Sequence, residues 1–244
     1  MLVLSSAYSG WPNLFDFRIE QFLNHFAGRC PLLDNAAYLA GGSFLFRGGG
    51  MMLLVWYVLF EKGRPGQLRH GFELLIGTMP WSLLALPCVR FLARVLPFRS
   101  RPMSTPALHF VPPVARVQSL MDWSSFPSDH AVFFFALATG IFFVSRRVGL
   151  LAYLWVAVVI CFPRLYLGAH WPTDILAGAA IGIGLASAAL FPAYRLWVRK
   201  AAGGWYARSP GLFLAALFLY TFEAGILFLD TYPILGNTWR YFVR

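Results

Sequence analysis

The stretch that decides the fold is Phe126-Pro127-Ser128-Asp129-His130, followed by an apolar run from Ala131 to Val144 and closed by Ser145-Arg146-Arg147. Proline, then serine, then an apolar run marks a helix start, with Ser128 as N-cap. The run holds no charged residue before the two arginines, so it reads as a membrane span from about Ser128 to the residue before Ser145. A span that opens on a serine, an aspartate and a histidine places polar chemistry at the rim of a bilayer.

The rest of the chain has the same character. Of 244 residues, 59% are hydrophobic and only 12% are charged, and the mean hydropathy is +0.63. A soluble domain of this length carries about twice that charge. Apolar runs at roughly 36–60, 71–92, 149–163, 172–196 and 211–229 add five further spans. The expected fold class is therefore all-α: a polytopic membrane helix bundle of about six transmembrane helices. No polar linker divides it, so residues 1–244 read as a single integral-membrane domain.

Residues 14–30 add an N-terminal amphipathic helix. Phe15, Ile19, Phe22, Leu23 and Phe26 share one face, while Arg18, Glu20 and Asn24 lie elsewhere. Lying in the interface and packing on the bundle's edge fit this pattern equally. Met1-Leu2-Val3-Leu4-Ser5-Ser6 has no basic region and too short an apolar core for a signal peptide, so the first span is expected to direct insertion.

The formal charge of +10 would suggest nucleic acid in a soluble protein. Here the cations fall at span ends, which points to membrane lipids or phosphate as partners and away from nucleic acid. Both lysines, Lys62 and Lys200, belong to the connectors 61–70 and 195–208, which fall on one side with 145–148. By the positive-inside rule that side is cytoplasmic. The loops 93–126 and 164–173 then share the outer side, with both termini. Cys30, Cys88 and Cys161 have no metal-ligand spacing and read as small hydrophobes.

Three fragments carry chemistry. At Ser128-Asp129-His130, a helix N-terminus offers free N–H groups to an anion, with His130 in the first turn. The bland reading is a capped helix with an interfacial histidine. At Arg164-Leu165-Tyr166-Leu167-Gly168-Ala169-His170-Trp171-Pro172-Thr173-Asp174, Pro172 starts a helix and His170 stands just before it. Asp174, four residues on, can hold one imidazole nitrogen and leave the other free as a nucleophile; it can equally serve as a plain helix cap. Arg94 and Arg101 suit phosphate, since guanidinium binds it bidentately, though each alone reads as interfacial arginine.

Together these fragments resemble the type 2 phosphatidic acid phosphatase (PAP2) superfamily. Its signature is Lys-x6-Arg-Pro, Pro-Ser-Gly-His and Ser-Arg-x5-His-x3-Asp. The chain has Arg94-x6-Arg101-Pro102, Pro127-Ser128-Asp129-His130 and Arg164-x5-His170-x3-Asp174. The resemblance covers about 90–185. It implies that His170 is the nucleophile that forms a phosphohistidine, Asp174 its orienter and His130 the general acid. It implies further that Arg94, Arg101, Ser128 and Arg164, with backbone N–H groups near Asp129, clamp the phosphate. No metal and no cofactor is implied.

Three departures stand out: Arg94 for lysine, Pro163 for serine and Asp129 for glycine. The Pro-Ser-Asp-His form is similar to the bacterial branch acting on undecaprenyl pyrophosphate. The expected function is thus hydrolysis of a lipid-linked phosphate at the periplasmic face of a bacterial inner membrane. Phosphatidylglycerol phosphate, phosphatidate and lipid A stand as other substrates, and phosphoryl transfer to a second lipid as another reaction. A transporter is a further class, for which Arg47 and Glu223 would mark an ion path, and a structural membrane subunit is another.

Overall fold

The computed structural model describes residues 13–61, 71–114 and 124–228. Most of the basic connector 61–70, Arg116 of the outer loop, Met1–Ser6 and the aromatic tail after 228 lie outside these residues. Among those described there is no strand.

The helices are α1 (Leu14–Asn24), α2 (Pro31–Gly42), α3 (Gly50–Phe60), α4 (Phe72–Val95), α5 (Asp129–Val144), α6 (Arg146–Trp155), α7 (Phe162–Tyr166), α8 (Pro172–Ser187), α9 (Pro192–Arg208) and α10 (Pro210–Gly225). A π-helical segment, Leu45–Gly49, leads into α3, and another, Val156–Cys161, joins α6 to α7. Phe72–Val95, Arg146–Tyr166 and Pro172–Leu190 are long and apolar enough to cross a membrane. Asp129–Val144 and Pro210–Gly225 are apolar but shorter. The chain is an integral membrane protein.

Two expectations about the spans need correction. The first span, 36–60, is not one rod. Pro31–Gly42 and Leu45–Phe60 are bent by 73° at a break of a few residues. The physical reason is the run Gly41-Gly42-Ser43: two glycines carry a high helix cost, and Ser43 leaves the helical region at φ −80°, ψ 124°. The fifth span ends earlier than Leu196. Phe191 adopts an extended conformation and Pro192 starts a new helix, so 195–208 is helical through Gly203-Gly204 and not a loose connector. Helix α9 is tied to α4, where Arg195 and Arg199 both bind the buried carboxylate of Glu73.

The core is built on α5, which packs on α4, α6 and α8. Phe133, Phe134, Leu137 and Ile141 are fully buried there. Between lipid-embedded helices, burial from water supplies little drive, and close backbone contact supplies more. Helices α5 and α8 use that contact. A Cβ on Gly182 would stand 2.2 Å from the Val132 carbonyl oxygen, and one on Gly178 2.8 Å from the Ser128 carbonyl oxygen. The first turns of α5 and α8 are thereby held side by side.

Helix α1 turns its apolar residues outward: Phe15 and Phe22 are exposed, whereas Asp16 and Glu20 are fully buried. The orientation suits a helix lying at a lipid interface, with its two acids aimed at the protein.

Candidate active site

The loop after α4 and the turn before α8 meet over the first turn of α5. Met103 N–H donates to the Gly168 carbonyl at 3.0 Å, and Trp171 Nε1–H donates to the Ser100 carbonyl at 2.8 Å. Gly168 is needed in this turn. Its φ is +69°, and an added Cβ would strike the Phe110 ring at 2.5 Å.

His170 is 5% exposed and stands just before α8. Its Nδ1 lies 2.8 Å from the Ser125 carbonyl oxygen. A carbonyl only accepts, so Nδ1 carries a proton, and in the neutral imidazole the lone pair is then on Nε2. Asp174, expected as the orienter, is 3.6 Å from Nδ1, beyond hydrogen-bond length. Its carboxylate is taken up elsewhere. Oδ2 accepts from the Trp171 N–H at 2.7 Å, and Oδ1 binds Arg99 Nη1. The orienting atom is therefore a backbone carbonyl, with Asp174 supplying charge one step back.

His130 sits between an anion and a cation. Its Nδ1 is 2.8 Å from Asp129 Oδ1, and its Nε2 is 2.9 Å from Arg164 Nη2. Arginine can only donate and an ionised aspartate only accept. His130 is thus neutral here, protonated at Nδ1 and accepting at Nε2. Asp129, the departure from glycine, points its other oxygen toward Arg90 at 3.9 Å. This placement answers the repulsion a carboxylate would exert on a bound anion, because the charge is spent on a histidine and an arginine.

Ser128 caps α5 as read from the sequence, its hydroxyl accepting from the Ala131 N–H at 3.4 Å. Its own N–H donates to the Asp174 carbonyl at 3.2 Å, a direct link between the two helix starts. Arg101 is buried and donates from Nη1 to the Ala169 carbonyl at 2.6 Å. Burial lowers its pKa, and Asp129 and Asp174 oppose that shift. A pocket of about 30 Å³ is lined by Arg90, Arg101, Ser124, Asp129 and His170, closed by Val89, Ala93 and Pro127.

Of the expected residues, Arg101, Asp129 and His170 line this pocket; Ser128, His130, Arg164 and Asp174 do not line it but are tied to those residues or to their segments by the hydrogen bonds above. Arg94 lies exposed in the last turn of α4 and does not line the pocket, while Arg90, one turn earlier, does. Sequence reasoning also missed Arg99, Ser125, Asp16 and Glu20. Arg99 is 2% exposed and bridges two helices: Nη2 donates to Asp16 Oδ2 at 2.5 Å, and Nη1 binds Asp174 and, at 2.9 Å, Thr173 Oγ1. Asp16 in turn accepts from the Thr173 N–H at 2.9 Å. Glu20 is buried beside them, with neither oxygen hydrogen-bonded. Burial, then the charges of Asp16 and Asp174, push its pKa up to about 9. The available signal was the i, i+4 spacing of Asp16 and Glu20, which puts both acids on one face of a mostly apolar helix. Among the described residues, no three His, Cys, Asp or Glu side chains are placed to hold a metal ion.

Two imidazoles and several guanidiniums gathered at one end of a membrane bundle are chemically suited to an anionic group such as phosphate. Comparison with known proteins agrees with that class. The family model of the PAP2 superfamily matches residues 79–198, and through that region the chain belongs to the superfamily. A putative undecaprenyl-diphosphatase, YbjG, of Escherichia coli is 48% identical over 62 residues, 24% of this chain and 30% of the relative. The lipid A 1-diphosphate synthase of Escherichia coli is 31% identical over 170 residues, 66% of each chain. The crystal structure of Aquifex aeolicus LpxE superposes with a TM-score of 0.43 at 23% identity, covering 71% of this chain and 93% of that one. The chain thus spans less than a third of the first relative and about two thirds of the second.

Proposed function

We propose that the chain is a lipid phosphatase of the membrane, with His170 as nucleophile. The observation that carries the reading is the His170 imidazole, held through Nδ1 by the Ser125 carbonyl, at a pocket that Arg90 and Arg101 share. Nε2 attacks phosphorus, the P–O bond to the leaving group breaks, and a phosphohistidine forms. The leaving oxygen takes a proton from His130. In the ligand-free arrangement His130 Nε2 is occupied by Arg164. An arriving phosphate draws Arg164 to itself, and its negative charge favours protonation of the freed nitrogen. Water then hydrolyses the phosphohistidine. Arg101, Arg164 and Arg90 neutralise charge that builds on the phosphoryl oxygens, and Asp174 holds the loop through Arg99.

The substrate we favour is a lipid-linked pyrophosphate, undecaprenyl pyrophosphate first, at the outer face of a bacterial inner membrane. The Pro-Ser-Asp-His form and the likeness to a putative undecaprenyl-diphosphatase support that choice. Transfer of the phosphoryl group to a second lipid is supported by the likeness to the lipid A 1-diphosphate synthase. The test is phosphate release by purified protein in detergent with EDTA present. His170→Ala is expected to lower the rate by about a thousandfold or more with an unchanged melting temperature. Full activity in that variant would discard the mechanism. Phosphorylated acceptor in place of free phosphate would select the transferase.

A further inference from the structure

The chemistry above leaves one buried cation without a task. Arg47 lies in the π segment Leu45–Gly49, upstream of the residues matched by the family model. It is 7% exposed. The sequence offered Arg47 as a mark of an ion path in a transporter. Nη1 donates to the Gly41 carbonyl at 3.3 Å, the guanidinium lies 4.8 Å from the Phe44 ring centroid, and the buried Nε–H has no acceptor. Among the described residues, no carboxylate is within ion-pair distance of it.

Packing fixes where Arg47 sits. Gly41, whose carbonyl holds the guanidinium, abuts the residues flanking Arg164. A Cβ on Gly41 would be 3.0 Å from Leu167 Cδ1 and 3.5 Å from Pro163 Cβ. The π segment bearing Arg47 also packs on Val156–Cys161, the π segment that leads to Arg164. Such segments shift the helical register and recur at functional sites. This packing puts Arg47 on the Arg164 side of the site, and Arg164 in turn meets His130. Arg164 has the same defect as Arg47: its Nε–H is buried without an acceptor. Two cations on neighbouring segments, each with a buried orphan donor, are costly by themselves. One anion between them satisfies both.

We propose that Arg47 binds the leaving-group phosphate of a lipid diphosphate. The assignment rests on the roles given above to His170 and His130. His170 attacks the terminal phosphorus, the bond to the bridging oxygen breaks, and the departing group is a lipid monophosphate that takes its proton from His130. Arg47, on the Arg164 side, meets that phosphate. When the substrate is a lipid monophosphate, its phosphoryl group passes to His170 and a neutral alcohol departs, which offers Arg47 no charge. Arg47 therefore selects diphosphate over monophosphate.

The test uses the full chain with farnesyl diphosphate and farnesyl phosphate, which share one tail. Arg47→Met is expected to lower kcat/KM on the diphosphate by about 30-fold or more and on the monophosphate by less than about threefold. Arg47→Lys, which keeps the charge, is expected to fall between wild type and Arg47→Met on the diphosphate. Equal losses on both substrates, or none on either, overturn the proposal. Calorimetric binding of inorganic pyrophosphate and orthophosphate gives a second readout that needs no turnover. Wild type is expected to prefer pyrophosphate by about tenfold or more, and Arg47→Met to erase the preference. A wild type that hydrolyses neither lipid defeats the phosphatase reading alone. A pyrophosphate preference that is absent in wild type, or unchanged in Arg47→Met, defeats the role of Arg47.

Discussion

Two charge clusters, one fully buried and one half-buried, lie within one small region, and their charge balance is opposite. Around Arg99, a single cation meets Asp16 and Asp174, and Glu20 stands next to them. Around His130, Arg164 and Arg47 outnumber Asp129, and two guanidinium N–H groups lack acceptors. The first cluster has acid in excess: Arg99 holds two carboxylates, and the third, Glu20, is buried without a hydrogen bond. The second has base in excess. Excess acid that is buried can be relieved by keeping a proton, whereas excess base suits an anion that arrives. The acid-rich cluster holds the start of α8 next to His170, and the base-rich one surrounds His130.

The contrast can be attacked first at Arg99. Arg99→Met leaves Asp16 and Asp174 buried without their shared cation. Losing one partner of a buried ion pair costs about 3–5 kcal/mol. Thermal unfolding in detergent is expected to show that loss, together with loss of activity. A melting temperature within a degree or two of wild type would mean that the cluster is not built as described.

A smaller and pH-dependent effect is expected at Glu20. Burial and the neighbouring acids push its carboxyl up to about 9 in the folded protein, against 4.5 for a free glutamate. The folded state therefore keeps a proton that the unfolded state has released across that window. The stability this proton gives is complete below about 4.5 and is lost as pH rises toward 9, with a slope of up to about 1.4 kcal/mol per pH unit. Glu20→Gln cannot ionise. The variant is expected to gain on wild type steadily from pH 5 to pH 9, followed by denaturation at fixed temperature. Parallel curves for the two proteins would show that Glu20 is ionised in the fold.

The smallest effect is expected at Arg94. The side chain is exposed and outside the pocket, so Arg94→Ala should change kcat/KM by less than about threefold. Arg90→Ala, which removes a pocket residue, should cost more. The reverse order would restore Arg94 to the phosphate and remove Arg90.

What the sequence revealed, and what it hid, follows from the range of the interactions. The Ser128 cap, the Pro172 start and the membrane character of the chain are local or compositional, and they were readable. The spacing of Arg94 from Arg101 was readable too, but it counts residues along the chain. Whether Arg90 or Arg94 is level with the pocket depends on how far α4 continues before Leu96 leaves the helix, a matter of one turn. The run 36–60 was read as one span, whereas Gly41, Gly42 and Ser43 break it. Ser125 was invisible as His170's partner because it acts through a backbone carbonyl, which every residue has. Asp16 and Glu20 were hidden by the opposite expectation, that acids on an interfacial helix face water.

The hydrogen bonds from Thr173 and Arg99 to Asp16 have a consequence for anyone who would shorten the protein. The segment that the superfamily model recognises, 79–198, contains every residue assigned to bond making and breaking, yet it excludes the carboxylate that anchors the start of α8. Expressed by itself, such a fragment would carry an arginine built into its interior with half of its counter-charge missing. The smallest working catalyst is therefore larger than the region of shared ancestry, and grafting that region onto another protein's leading helices succeeds only where an equivalent acid is supplied.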